Sequence, residues 1–269
     1  MRSKQVWLFL ALAFALSWAV WVPAWLASLG LGFDQFKTPV VGLVGALGPG
    51  LAALLVAGLT QGRAGLAELL RRLRIWRVGL RWYLFVLLLG PAVLSLVYLV
   101  YGVPEQAPVR TLTLGSLLVT VLIQVLNTLA EEVGWRGYLL PRLRERWTWL
   151  AAAALFGPIH AVWHLPYWLS GSMAQASGLA TVALSTVIVL AGAFIFTYVY
   201  EHTRGSVLLV WLLHLAFNAG SATMPNSPEV YSGSLAPLAL YALLWVVVAG
   251  ALVALDQRRA TAPALAGKA

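Results

Sequence analysis

Glu131 and Glu132 stand side by side in an otherwise apolar stretch, with Arg136 one helical turn beyond. Three histidines also lie in apolar surroundings: His160 and His164, four residues apart, and His214, four residues before Asn218. Carboxylates and imidazoles are the side chains that move protons near neutral pH, and both also hold divalent metals. Glu132 and Arg136 share a helix face at i,i+4 and can pair. Glu131 is turned by about 100° from Glu132, so no basic partner shares its face and it is free to act as a general base. The chain has no cysteine, which excludes thiolate catalysis, thiolate metal sites and disulfides. Ser185 and Ser206 lack a visible triad setting, and His202 falls in a short loop with no assigned role.

The elements that position these groups must be membrane helices. Apolar residues make up 61% of the chain and charged ones 10%, against about 25% charged in a soluble domain. The apolar runs lack the alternation of a β-barrel, so helices are the remaining way to close backbone hydrogen bonds in lipid. Eight spans are expected, at roughly 6–28, 39–60, 82–101, 113–138, 149–169, 179–200, 206–222 and 235–255. Met1-Arg2-Ser3-Lys4 and the run from Val6 to Leu29 resemble a signal peptide, but the run is long enough to stay as the first span. The fold class is therefore an all-α polytopic bundle: one transmembrane domain over 1–259, then a disordered tail over 260–269.

The net charge of +9 is read as loop charge in a membrane protein, not as a nucleic-acid footprint. With the N-terminus inside, Arg63, Arg71, Arg72, Arg74, Arg77, Arg81, Arg142, Arg144, Arg146, Arg204, Arg258, Arg259 and Lys268 all fall inside, and only Lys37 and Arg110 outside. Both termini are then cytoplasmic. Leu66, Leu69, Leu70 and Leu73 recur at helical spacing between arginines, which fits an amphipathic helix on the inner membrane face. Gln124, Asn127, Thr128, Glu131, Glu132 and Trp135 form a polar stripe on span four that should face other helices. A lone intramembrane histidine is often a mere hydrogen-bond partner. Two carboxylates, an arginine, three histidines and an asparagine on three helices point instead to one shared cavity.

These residues resemble the CPBP family, the type II CAAX-type prenyl endopeptidases and their bacterial bacteriocin-processing and self-immunity relatives. Glu131-Glu132-Val133-Gly134-Trp135-Arg136 is similar to the family's Glu-Glu-x-x-x-Arg motif, and His214-Leu215-Ala216-Phe217-Asn218 to its His-x-x-x-Asn motif. Trp163-His164-Leu165-Pro166 resembles the setting of the Phe-x-x-x-His motif, although the residue four before His164 is His160. Phe156-x-x-x-His160 satisfies that motif literally, so His160 stands as the second choice to His164. The resemblance implies an intramembrane peptidase acting on a peptide or membrane-protein substrate, with Glu131, Glu132, Arg136, His164, His214 and Asn218 as its catalytic set. Two chemistries fit. In one, Glu131 and His164 activate water while His214 and Asn218 meet the oxyanion, and no cofactor is needed. In the other, Glu131, His164 and His214 hold a divalent metal such as zinc. The glutamate route is the expectation, with Glu132 and Arg136 bracing the site. The rival readings are a proton- or ion-coupled transporter and a non-catalytic scaffold or immunity protein. The Ala-, Leu- and Arg-rich composition points to a bacterial inner membrane.

Overall fold

A long apolar run with no water beside it must satisfy its backbone internally, and the chain does so by helices throughout. The computed structural model describes residues 2–38, 40–105, 113–170, 172–223 and 231–261, and no strand occurs among them. Arg110, Glu229 and Lys268 lie outside these residues, as does the expected tail from residue 262 onward; its first two residues continue the last helix. In order, the helices are α1 (Arg2–Ser28), α2 (Val40–Ala46), α3 (Gly48–Leu73), α4 (Leu80–Tyr101), α5 (Leu114–Glu132), a π-helix (Val133–Leu139), α6 (Leu140–Arg144), α7 (Trp149–Leu169), α8 (Ser172–His202), α9 (Val207–Thr223) and α10 (Ala236–Thr261).

All eight expected spans are present as helices, and six are long and apolar enough to cross a membrane. The other two are α7 and α9, which carry the histidines of interest. Two histidines and two prolines lower the hydropathy of α7, and α9 has only 17 residues. Span four extends further than expected, because α5, the π-helix and α6 run on without a break to Arg144. Pro158 and Pro166 lie inside α7 without interrupting it.

Two positive-φ glycines set where chain direction changes. Gly62 (φ 61°, ψ −147°) breaks α3 after its membrane-crossing part. The segment beyond it is the amphipathic helix expected from the leucine spacing. Its Leu69 is buried against the bundle, whereas Leu70 is exposed, so much of its apolar face packs on protein and not on lipid. Gly178 (φ 63°, ψ −149°) breaks α8 in the same way, and its spanning part follows.

The apolar side chains form two main cores. One gathers α4, α8, α9 and α10 around Phe196, Leu213, Tyr241 and Trp245. The other gathers α1, α3, the π-helix and α7 around Phe9, Trp21, Trp135 and Trp163. The polar residues of interest sit between them. One end of the bundle collects the arginine-bearing segments. There Arg144 grips Glu201 through two bonds of 2.7 and 2.8 Å, Arg72 meets Tyr200, and Arg204 meets the Arg77 carbonyl. Trp149 Nε1 donates to Asp256 at the same end (2.8 Å), and His202 lies 3.0 Å from that carboxylate.

Candidate active site

Glu131 and Glu132 are the last two residues of α5, and the chain widens into the π-helix immediately after them. Single π-turns are rare and occur mostly at functional sites. Glycine makes the local packing possible. A Cβ on Gly134 would fall 2.5 Å from the Pro49 carbonyl group, and one on Gly50 would fall 2.8 Å from the Ala130 carbonyl oxygen. The Gly48-Pro49-Gly50 start of α3 thus lies backbone to backbone against this turn.

The two carboxylates meet different partners, in keeping with the rotation of about 100° between neighbouring helical residues. Glu131 turns to α7. Its Oε2 lies 3.2 Å from His160 Nε2 and 3.9 Å from His164 Nε2. Glu132 turns to α9. Its Oε1 accepts Arg136 Nη1 at 2.8 Å and lies 2.7 Å from His214 Nδ1. Facing the oxygen that also accepts Arg136, His214 presents its Nδ1–H and leaves Nε2 as the nitrogen not held by Glu132. Arg136 is 2% exposed and Glu132 fully buried. The guanidinium is flanked by the rings of Phe156 and Phe196, with centroids at 4.5 and 4.7 Å. Asn218 donates one amide N–H to Gln124 Oε1 at 3.1 Å.

Aromatic rings fix both α7 histidines. His164 stacks on Trp168 (5.1 Å between centroids) and on Trp21 (6.1 Å). His160 sits among Trp135, Phe156 and Trp163. A chain of bonds ties this part of α7 to α1 and α2: Trp163 Nε1 donates to Ser17 Oγ (2.8 Å), which donates to the Gly45 carbonyl (2.7 Å), and Trp18 Nε1 donates to the Trp163 carbonyl (3.0 Å). Ser17, Trp18 and Trp21 were not singled out from the sequence, because nothing local marks them; only the packing of α1 on α7 brings them there.

Glu131, Arg136, His160, His164, His214 and Asn218 all line one cavity of about 410 Å³, and Glu132 braces it from behind. The structure thus brings together every residue of the expected set and places His160 closer to Glu131 than His164. Its other walls, from α8 and α10, carried no signal in the sequence.

Residues 113–220 match the family model described as "Type II CAAX prenyl endopeptidase Rce1-like". This stretch is a CPBP-family intramembrane peptidase domain. No curated protein matches the chain. The CPBP domain runs from the start of α5 to the last turns of α9, so it contains the three helices that bear the polar cluster. α1, α3 and α10, which pack around the cluster, lie outside the matched stretch.

The donor set of the CPBP domain also suits a divalent metal. One ligand atom each from Glu131, His160 and His164 lies within 4.8 Å of the others. Tetrahedral zinc with bonds of about 2.0–2.1 Å spaces its ligands by roughly 3.4 Å, and the separations of 3.2 and 3.9 Å from Glu131 bracket that value. Two histidines at i,i+4 with a carboxylate from elsewhere is an established zinc pattern. The set expected from the sequence named His214 as the third ligand. The geometry puts His160 there, because α9 sets His214 against Glu132 and not Glu131.

Proposed function

We propose that this protein is an intramembrane endopeptidase in which Glu131 activates the attacking water. One observation carries the reading: Glu131 and two histidines line a cavity that Arg136, His214 and Asn218 also line, while Glu132 holds Arg136 and His214 from behind. Glu131 takes a proton from water, and the oxygen forms a bond to the scissile carbonyl carbon. The carbonyl electron pair moves onto oxygen, where the second amide N–H of Asn218 donates to it and the His214 ring stands beside it. The proton held by Glu131 then passes to the leaving amine as the C–N bond breaks. His160 holds Glu131 in place, and His164 faces the same oxygen from one turn further along.

The substrate is a hydrophobic or membrane-associated peptide; the family's prenylated CAAX proteins are one such class. The host membrane is a bacterial plasma membrane, and the arginine-bearing end and both termini face the cytoplasm. The spacing of Glu131, His160 and His164 favours one alternative. A metal held there would supply a Lewis acid and an acidified water, and Glu132 would still orient His214.

The test is cleavage of a quenched-fluorescence peptide library by purified protein in detergent, with wild type, Glu131→Gln, His160→Ala and His164→Ala compared. Glu131→Gln is expected to lose at least about 100-fold in rate, with wild-type cleavage surviving chelator. Loss on chelation, restored by added Zn²⁺, establishes the metal route instead. Equal background in all four proteins overturns the peptidase reading in favour of a scaffold, and proton flux in vesicles that depends on Glu131 would favour a transporter.

A further inference from the structure

The cavity has two unlike walls. α5, α7 and α9 contribute the carboxylate, the histidines and Asn218. α8 and α10 contribute Ile188, Val189, Phe196, Leu238, Tyr241 and Trp245, and no charged residue or histidine among the described lining residues. On α8 the lining residues Ser185, Ile188, Val189, Gly192 and Phe196 recur at helical spacing, so they form one stripe facing the cavity. At the centre of that stripe is Gly192.

A Cβ built on Gly192 meets nothing within 4 Å. Packing therefore does not demand a glycine there. Gly157, across the α7–α8 contact, is the contrast: its Cβ would fall 3.1 Å from Leu190 and 3.3 Å from Ala193. A glycine within a helix is less stable than alanine, and at position 192 the space gained opens into the cavity. Register places that space. Phe196 touches His214, with ring centroids 5.5 Å apart. α8 and α9 follow each other and run in opposite directions, so one turn back from Phe196 lies level with one turn on from His214. Gly192 is thus level with Asn218, beside the position the scissile carbonyl would occupy. α10 closes the far side, where Trp245 and Tyr241 pack on Phe217 at 5.0 and 6.1 Å.

We infer that α8 and α10 form a side-chain pocket for one bulky apolar residue of the substrate beside the scissile bond, with Gly192 setting its depth. The inference rests on the peptidase reading above. A cavity of about 410 Å³ admits a few side chains of an unwound segment. The uncharged wall disfavours a charged residue, which would enter without a partner. A side chain too small to reach the wall leaves apolar surface uncovered.

The test uses one fluorogenic peptide sequence with Ala, Leu, Phe or Trp at each position flanking the cleaved bond. Wild type, Gly192→Ala, Gly192→Leu and Ile188→Ala are compared by the ratio of kcat/KM for the bulky peptide to that for the alanine peptide. Wild type should favour a bulky residue on one side by at least about tenfold, the scale of a methylene or more in an apolar pocket. The ratio should fall stepwise from Gly192 to alanine to leucine, and Ile188→Ala should shift preference toward the largest side chain. Gly192→Ala keeps the series readable if leucine disturbs folding. A wild type that cleaves without preference, or a ratio that ignores residue 192, overturns the pocket and leaves the peptidase intact. A wild type that cleaves none of the peptides, including those from the library, overturns both.

Discussion

At the scale of single residues, the buried Arg136–Glu132 pair is costly to place within a membrane. A charge near the centre of a spanning helix costs about 2.5–3.5 kcal/mol on insertion scales, and these two are 2% and 0% exposed. Their 2.8 Å contact, the His214 bond to the same oxygen and the flanking rings of Phe156 and Phe196 offset that cost. Arg136→Ala leaves Glu132 buried without its countercharge and is expected to destabilise the protein by about 3–5 kcal/mol. Arg136→Lys keeps the charge but not the planar group between two rings, so its loss should be smaller yet measurable. Thermal unfolding in detergent checks both. A lysine variant as stable as wild type would show that the two rings contribute nothing specific. The i,i+4 spacing made the ion pair legible from sequence. The rings were not legible, since they come from α7 and α8, 20 and 60 residues further along the chain.

At the scale of elements, the turn that follows Glu132 depends on close backbone approach. Gly134 has no room for a methyl group, because the nearest atoms are the Pro49 backbone and no flexible side chain is there to move aside. Gly134→Ala must push α3 from the π-helix and is expected to cost about 1–3 kcal/mol or more, with activity falling as Glu131 shifts relative to α7. Gly250→Ala is the control: its Cβ meets nothing within 4 Å, it is exposed on α10, and the change should be neutral or stabilise by about 0.5–1 kcal/mol. Equal melting temperatures for the two variants would show that the α3 contact is loose. Which glycine meets which carbonyl was not legible in the sequence, since α3 and the π-helix are far apart along the chain.

At the scale of the whole molecule, charge is distributed unequally between the two ends. The arginines of the α3–α4 connection, α6 and the α8–α9 turn meet at one end through Arg72, Arg144 and Arg204. The proposed topology, which follows the positive-inside rule, has that end in the cytoplasm. The absence of cysteine makes this directly testable with single cysteines. Ser234→Cys, exposed before α10, should react with a membrane-impermeant maleimide on intact cells, and Arg146→Cys, exposed after α6, only after permeabilisation. The reverse pattern would invert the proposed topology.

The amino-acid sequence by itself determined the helical membrane class, the eight helices expected as spans and the polar residues set within them, because lipid forces apolar length on a span and makes every exception conspicuous. It also determined that Glu131 and Glu132 point apart, since adjacent residues on a helix are always rotated by the same angle. The tertiary structure decided the partners. It gave His214 to Glu132 and His160 to Glu131, a choice that turns on how α7 and α9 are rotated about their own axes. Spacing within one helix says nothing about rotation between helices. It also decided the apolar half of the cavity, because the spanning parts of α8 and α10 carry no charged residue and only packing distinguishes the face that lines the cavity from the outer face.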